Sequence, residues 1–516
     1  MRRAHKISSA LLLALAIGTA VAQDSGSQQT STPDQDNAQQ PQTPAPAYGQ
    51  ETPPPPVTEN PPISGLDLPG LEPHAAALSY LQPRAHVRET ADSNVGNTLS
   101  GSSMRSVTSV LGGLDLQRLW KNYNLALDYT GGFGYSSLRT LGFRQVQLMD
   151  VDQKIVWKRG QLGIRDSFSY LPEGSFGEAY GGMNGLGELI GGGGFNAENV
   201  YFGGNIFGSL SQVPRIMNLA LVDAVEEFTP KTAVTATVGY GFVHYTENIS
   251  STLLFGPNST AVPISFVGSS QETGQLGIDH IFGPHDQAAI VYGYQHFDFS
   301  VSGAAFHTQI GELLWGHRIS GRLSLLLGAG PQVTTIHQTA QTCSIFGITD
   351  LTQCGPNGGV ILTTILDTTR LSAAGRASLS YKFPKTTVSL KYDHYTTGGS
   401  GFFAGAQSDI VRLSANRPLN RLWLATLDAG YSKNRRLQLP VNDIPGRTYD
   451  AGFAGIALHR HLGRQFHIFA SYQFNELAFD SSFCMGGGNP GPCSRISQRH
   501  LGTIGLDWTP RPIHLD

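Results

Sequence analysis

The stretch Thr232-Ala233-Val234-Thr235-Ala236-Thr237-Val238-Gly239-Tyr240-Gly241-Phe242-Val243-His244-Tyr245 decides the fold. Val234, Ala236, Val238, Tyr240 and Phe242 occupy every second position, and Thr235, Thr237, Gly239 and Gly241 lie between them. Side chains on a strand point alternately to its two faces, so this segment has one apolar face and one small, polar face. A strand of this kind suits a membrane barrel, with the apolar set against lipid and the other set against the lumen.

Working outward, Arg370 to Tyr381 repeats the pattern, with Leu371, Ala373, Ala377, Leu379 and Tyr381 on one face and Ser372, Arg376, Ser378 and Ser380 on the other. From Gln82 onward the chain reads as ~10-residue alternating segments joined in turn by very short and longer polar connections, which is the barrel rhythm. The short turns are Lys121-Asn122, Arg159-Gly160, Pro230-Lys231, Gly283-Pro284, Ser320-Gly321, Pro384-Lys385, Pro418 to Arg421 and Gly463-Arg464. They are assigned to the periplasmic rim. The longer segments, near 94–105, 136–144, 172–214, 247–270, 300–305, 337–368, 396–407, 434–447 and 480–496, become extracellular loops. This predicts an all-β, antiparallel, up-and-down transmembrane barrel of about 18 strands, with 16 as the alternative if the first strand and one other fail. Tyr129, Trp157, Phe168, Tyr240, Tyr292, Trp423 and Tyr472 fall near strand ends, where aromatic girdles form.

Composition agrees with one large sheet protein. Only 14% of residues are charged and 62 of 516 are Gly, about twice the usual ~7% share, which argues against a helical enzyme. The net charge of -3 leaves no basic footprint for nucleic acid. The pattern keeps its character from about residue 81 to residue 510, so those residues are read as one barrel domain and 511–516 as a short periplasmic tail.

The beginning of the chain reads as an export signal. Arg2, Arg3 and Lys6 precede an apolar run from Ile7 to Val21, and Ala20-Val21-Ala22 is a small-residue cleavage site, which makes 1–22 the signal peptide. No Cys follows for a lipid anchor, and no later run of 18 or more apolar residues could form a membrane helix. Residues 23–80, centred on Pro53-Pro54-Pro55-Pro56, are rich in Gln, Thr, Ser and Pro and are predicted to be a disordered periplasmic linker. Extended, such a segment reaches on the order of 100 Å or more. It serves either as a tether to cell wall or a periplasmic partner, or as a spacer with no partner.

The stretches Leu116-Gln117-Arg118-Leu119-Trp120, Gly191 to Gly194, Pro214-Arg215-Ile216 and Gly505-Leu506-Asp507-Trp508 carry a resemblance. Residues 82–508 resemble porin-like bacterial outer-membrane barrels, in particular a group of exported barrels, themselves uncharacterised, that carry a glycine-rich loop followed by a short motif. The resemblance implies architecture and an outer-membrane location more than an activity. The last strand, His500 to Trp508, resembles the aromatic-ended final strand that the outer-membrane insertion machinery recognises, although Thr509 to Asp516 extends past it.

Alternation places Arg165, Arg376, Lys391, Arg412, Asp128, Asp279, Asp393, Asp428 and Asp507 inward. Charges of both signs imply a wet lumen of weak ion selectivity. A tight turn at Pro384-Lys385 makes Arg376 and Asp393 near-opposite, which suits a cross-strand ion pair.

The loop Pro172 to Pro214, with Gly181-Gly182, Gly185, Gly187 and Gly191 to Gly194 among apolar side chains, is read as a constriction folded into the lumen. Glu178, Glu188 and Glu198 would line it. An exposed loop is the alternative reading.

Cys343 with Cys354, and Cys484 with Cys493, fall within single loops in an oxidising compartment. Local disulfides there would contribute roughly 2–3 kcal/mol each, and neither pair has zinc-knuckle spacing, although three connectivities are possible.

His459 and His461 share a strand face and could chelate, but no third ligand is evident in the sequence, so no metal or cofactor is expected. No G-x-S-x-G nucleophile elbow occurs to support an enzyme. The expected function is passive or weakly selective passage of small polar solutes. The alternatives are a structural or polysaccharide-export-associated barrel and a barrel enzyme acting on lipid or surface polymer.

Overall fold

A computed structural model describes residues 79–93, 104–137, 143–171, 215–245, 268–299, 304–343, 361–398, 404–437, 447–480 and 496–515. They form eighteen long strands: β1 (Tyr80–Asp92), β2 (Arg105–Leu119), β3 (Tyr123–Ser136), β4 (Phe143–Trp157), β5 (Gly160–Leu171), β6 (Arg215–Thr229), β7 (Thr232–Tyr245), β8 (Ser269–Ile281), β9 (Asp286–Phe299), β10 (Ala304–Arg318), β11 (Leu323–Cys343), β12 (Ile361–Lys382), β13 (Thr387–Thr397), β14 (Ala406–Pro418), β15 (Trp423–Arg436), β16 (Thr448–His461), β17 (Phe466–Phe479) and β18 (Ile496–Trp508). Each pairs antiparallel with its sequence neighbours, and β1 pairs with β18 from Ala85↔Trp508 to Asp92↔Leu501. The sheet is therefore closed into a ring. Eighteen strands form, and the sixteen-strand alternative is set aside.

The turns expected to be short are short, and all sit at one rim. Gly160 differs from expectation by one residue: it opens β5, and Lys158-Arg159 makes the turn. The first strand starts at Tyr80, two residues before the patterned segment. After β18 the chain turns back, and Ile513–His514 (β19) pairs with Tyr80–Leu81, so the expected tail contains a short strand.

Burial is inverted relative to a water-soluble protein. Ile290 is 69% exposed and Leu371 76%, whereas Arg499 and Asp92 are each 1% exposed and Arg84 4%. Outward positions such as Val110, Phe133, Val238, Leu276, Ile278, Leu313 and Ile504 form an exposed apolar surface round the ring. Such a surface is stable only against hydrocarbon, and a closed barrel satisfies every backbone group within the sheet, so this is a transmembrane barrel of the outer-membrane type.

All five tryptophans, Trp120, Trp157, Trp315, Trp423 and Trp508, lie toward the short-turn rim. There Arg118 and Arg460 stack on Trp120 and Trp423 at 5.6 and 5.4 Å from the ring centroids. Rings with one apolar and one polar edge settle at the membrane interface, which fixes this rim at one headgroup layer.

At the opposite end the inner face changes character. Phe297, Phe299, Ala304, Phe306, Ile336, Ala404 and Leu437 pack together. Gly405 lets the start of β14 reach this cluster: its φ is +90°, and a Cβ there would stand 2.6 Å from Phe306 Cε1. The β12–β13 pairing stops at Gly375↔His394. Above that point Thr396 of β13 bonds instead to Gln332 and Thr334 on β11, the latter at 3.3 Å. The expected polar inner face holds along the whole of β1, up to Asp92 at its long-loop end, whereas the β9–β11 sector is apolar inside toward the long loops.

Candidate functional site: the inner wall

The inner wall is built from alternation. On β1 every inward residue is polar: Tyr80, Gln82, Arg84, His86, Arg88, Thr90 and Asp92. A buried charge needs a partner, and the partners stand one or two strands away. Arg84 Nη2 donates to both oxygens of Asp128 at 2.6 and 2.5 Å. Its chain crosses Gly113 on β2, where a Cβ would stand 3.0 Å from Arg84 Nε. Arg376 Nε donates to Glu312 Oε1 at 3.3 Å and to the Tyr395 hydroxyl at 2.6 Å, crossing Gly328 on β11. In both cases a glycine in the intervening strand leaves room for the guanidinium to lie flat on the wall.

The other pairs follow the same rule. Arg165 donates to Asp223 on β6 from Nε at 2.9 Å, and Arg412 to Asp428 on β15 at 3.1 and 2.6 Å. At the seam that closes the ring, Arg499 of β18 holds Asp92 of β1 through Nε at 2.9 Å, and Arg105 approaches the same carboxylate at 3.7 Å. His86 Nδ1 and Asp507 Oδ1 are 2.8 Å apart across that seam. Bidentate pairs of this kind hold their geometry tightly.

Arg165, Arg376, Lys391, Arg412, Asp128, Asp279, Asp393, Asp428 and Asp507 share the phase of their strands with the buried polar side chains. Arg376 and Asp393 are direct register partners, and Arg376 additionally binds Glu312 and Tyr395. Lys391 stands opposite Arg412, which places two cations side by side. Asp279 accepts from Gln287 Nε2 at 3.3 Å. Seven to nine strands round the ring from β13, Asp115, Asp128 and Asp150 form an inward row across β2, β3 and β4. The wall thus carries charges of both signs close together.

Sequence reasoning missed Arg84, Arg88, Asp92, Arg105, Asp150, Asp152, Asp223, Glu312 and Arg499. Their signal was parity, since each occupies the inward phase of its strand. Glu178, Glu188, Glu198, Cys354, Cys484 and Cys493 lie outside the described residues. Cys343 ends β11, and its side chain is outside them too.

No protein-family model matches the chain, and no curated protein matches it. Among solved structures, the chain is similar to the outer membrane protein OpdK of Pseudomonas aeruginosa, with 10% identity, TM-score 0.38, and coverage of 84% of this chain and 98% of that one. It is also similar to the closed form of the ferric-catecholate import receptor Fiu of E. coli K12, with 10% identity, TM-score 0.41, and coverage of 84% and 81%. A third is OccAB3 of Acinetobacter baumannii, with 9% identity, TM-score 0.38, and coverage of 84% and 99%.

Proposed function

We propose that the chain is an outer-membrane channel for passive, weakly selective passage of small polar solutes. The observation that carries this is the inner wall of the closed eighteen-strand ring, which is lined by charged and hydrogen-bonding side chains of both signs. A barrel of this strand number encloses more space than side chains alone fill. Paired charges of both signs on the wall exclude neither sign of ion.

The apolar packing at the long-loop end makes passage narrow there. Residues 172–214 add to that constriction, with Glu178, Glu188 and Glu198 as its carboxylates. Residues 1–22 direct export, residues 23–80 link the barrel to the periplasm or its partners, and the last strand presents Trp508 to the insertion machinery. Cys343–Cys354 and Cys484–Cys493 close extracellular loops as disulfides. The glycine-rich segment and Gly505-Leu506-Asp507-Trp508 support kinship with exported barrels that share them.

Liposome swelling tests this reading. Vesicles containing the refolded protein should swell in isosmotic solutions of small sugars or amino acids, at rates that fall with solute size. Swelling no faster than in protein-free vesicles would refute it.

A further inference from the structure

One group of inward side chains takes no part in the arginine–carboxylate pairs. β16, β17, β18 and β1 are consecutive round the ring, and their register sets His461 opposite His467, His467 opposite Asp507, and Asp507 opposite His86. His459 lies one inward step along β16 from His461, stacked on Phe469 at 5.8 Å. Adjacent strands are about 4.8 Å apart, so four imidazoles and one carboxylate share a patch four strands wide at the short-turn end of the lumen.

The hydrogen bonding of this patch is incomplete. His459 is 7% exposed and its Nε2 has no hydrogen-bond partner; His461 Nδ1 is buried without one as well. Leaving a buried polar atom unsatisfied is costly, and apolar side chains at the same positions would avoid that cost. The His461 and His467 rings meet edge to face with centroids 4.5 Å apart, close enough for both to reach one small ion. Imidazole nitrogen is the preferred donor for zinc, nickel and copper, and neighbouring strands hold two such donors without ordering any loop. Among the described residues no three His, Cys, Asp or Glu donors already converge on one point, so the preformed element is the cross-strand pair.

We propose that His461 and His467 chelate a divalent transition-metal ion inside the short-turn end of the barrel. His459 supplies a third nitrogen by turning about its own side-chain torsions. Asp507, held by His86, is the nearby carboxylate that balances the ion's charge. The sequence showed only the His459–His461 half of this site, because His467 and Asp507 reach it through strand pairing.

The experiment uses the full refolded chain in detergent, titrated with Ni²⁺ or Zn²⁺ alone and followed by calorimetry. The variants are His461→Ala, His467→Ala and, as control, His307→Ala. His307 belongs to a separate outward group, 5.6 Å from the His337 ring, whose Nδ1 is already taken by Asp367 at 2.7 Å. One equivalent of ion should bind to the wild type and to His307→Ala, and each of the other two variants should weaken it by about 10-fold or more.

Heat-modifiable gel mobility confirms that each variant is folded. Should a variant fail to fold, the wild type still decides the matter: bound metal should protect His461 and His467 from diethyl pyrocarbonate while leaving His307 reactive. Equal binding by all four proteins, or no selective protection, would overturn the proposal.

Discussion

Arg376 on β12 reaches across Gly328 on β11 to Glu312 on β10, with Nε 3.3 Å from Oε1, so an ion pair spans three strands over a residue with no side chain. A Cβ at 328 would stand 2.5 Å from Glu312 Oε1 and 2.9 Å from Arg376 Cγ. Gly328→Val should therefore separate the pair and destabilise the barrel by about 1–3 kcal/mol, as overpacking does elsewhere. Urea unfolding in lipid, followed by tryptophan fluorescence, measures it. Gly274→Ala, at an outward position with nothing within 4 Å, should unfold like the wild type. Equal midpoints for Gly328→Val and the wild type would remove the steric account.

The closing seam depends on Asp92 and Arg499, whose side chains are each 2% exposed. Removing one partner strands a buried charge, so Asp92→Ala and Arg499→Ala should each cost about 3–5 kcal/mol. The double variant should cost less than the sum of the two. A double-mutant cycle on the same unfolding transition reads the coupling, and strict additivity would contradict a direct interaction.

Inward and outward positions should tolerate charge differently. Ile290→Arg puts a guanidinium into the lipid-facing surface and should cost roughly 2–4 kcal/mol with poor insertion into vesicles. Ser372→Arg, on the inward phase of β12, should insert normally and change ion selectivity instead. Folding yield into lipid vesicles separates them, and equal yields would mean the two faces are misassigned.

Phe306 anchors the apolar packing at the long-loop end, with its ring 4.7 Å from that of Phe297. Phe306→Ala should enlarge the passage at that level, so single-channel conductance should rise. A conductance equal to the wild type would place the narrowest point elsewhere.

Much of this was legible in the residues, for reasons that particular strands show. Thr232 to Tyr245 announces its two faces because lipid and lumen demand opposite chemistry of alternate positions. β1 is harder to read, since its outward residues Pro83, Ala85 and Ala91 are small and Glu89 is charged, although its inward phase is polar throughout. The Glu312–Arg376–Tyr395 and His461–His467–Asp507 groups could not be seen, because each is assembled by register between strands far apart in the chain. The apolar interior near Phe306 escaped for another reason. Toward the long loops the outward phase of β9 turns polar at His296 and Asp298 while Phe297 and Phe299 take the inner phase, so the pattern persists while its meaning reverses.

A closed barrel with a polar passage through it conducts ions, and conductance of the refolded protein across a planar lipid bilayer reads that passage. Discrete, ohmic steps with only slight preference for cations or anions are expected. Heat-modifiable, fully inserted protein that leaves the bilayer at its baseline conductance would contradict it.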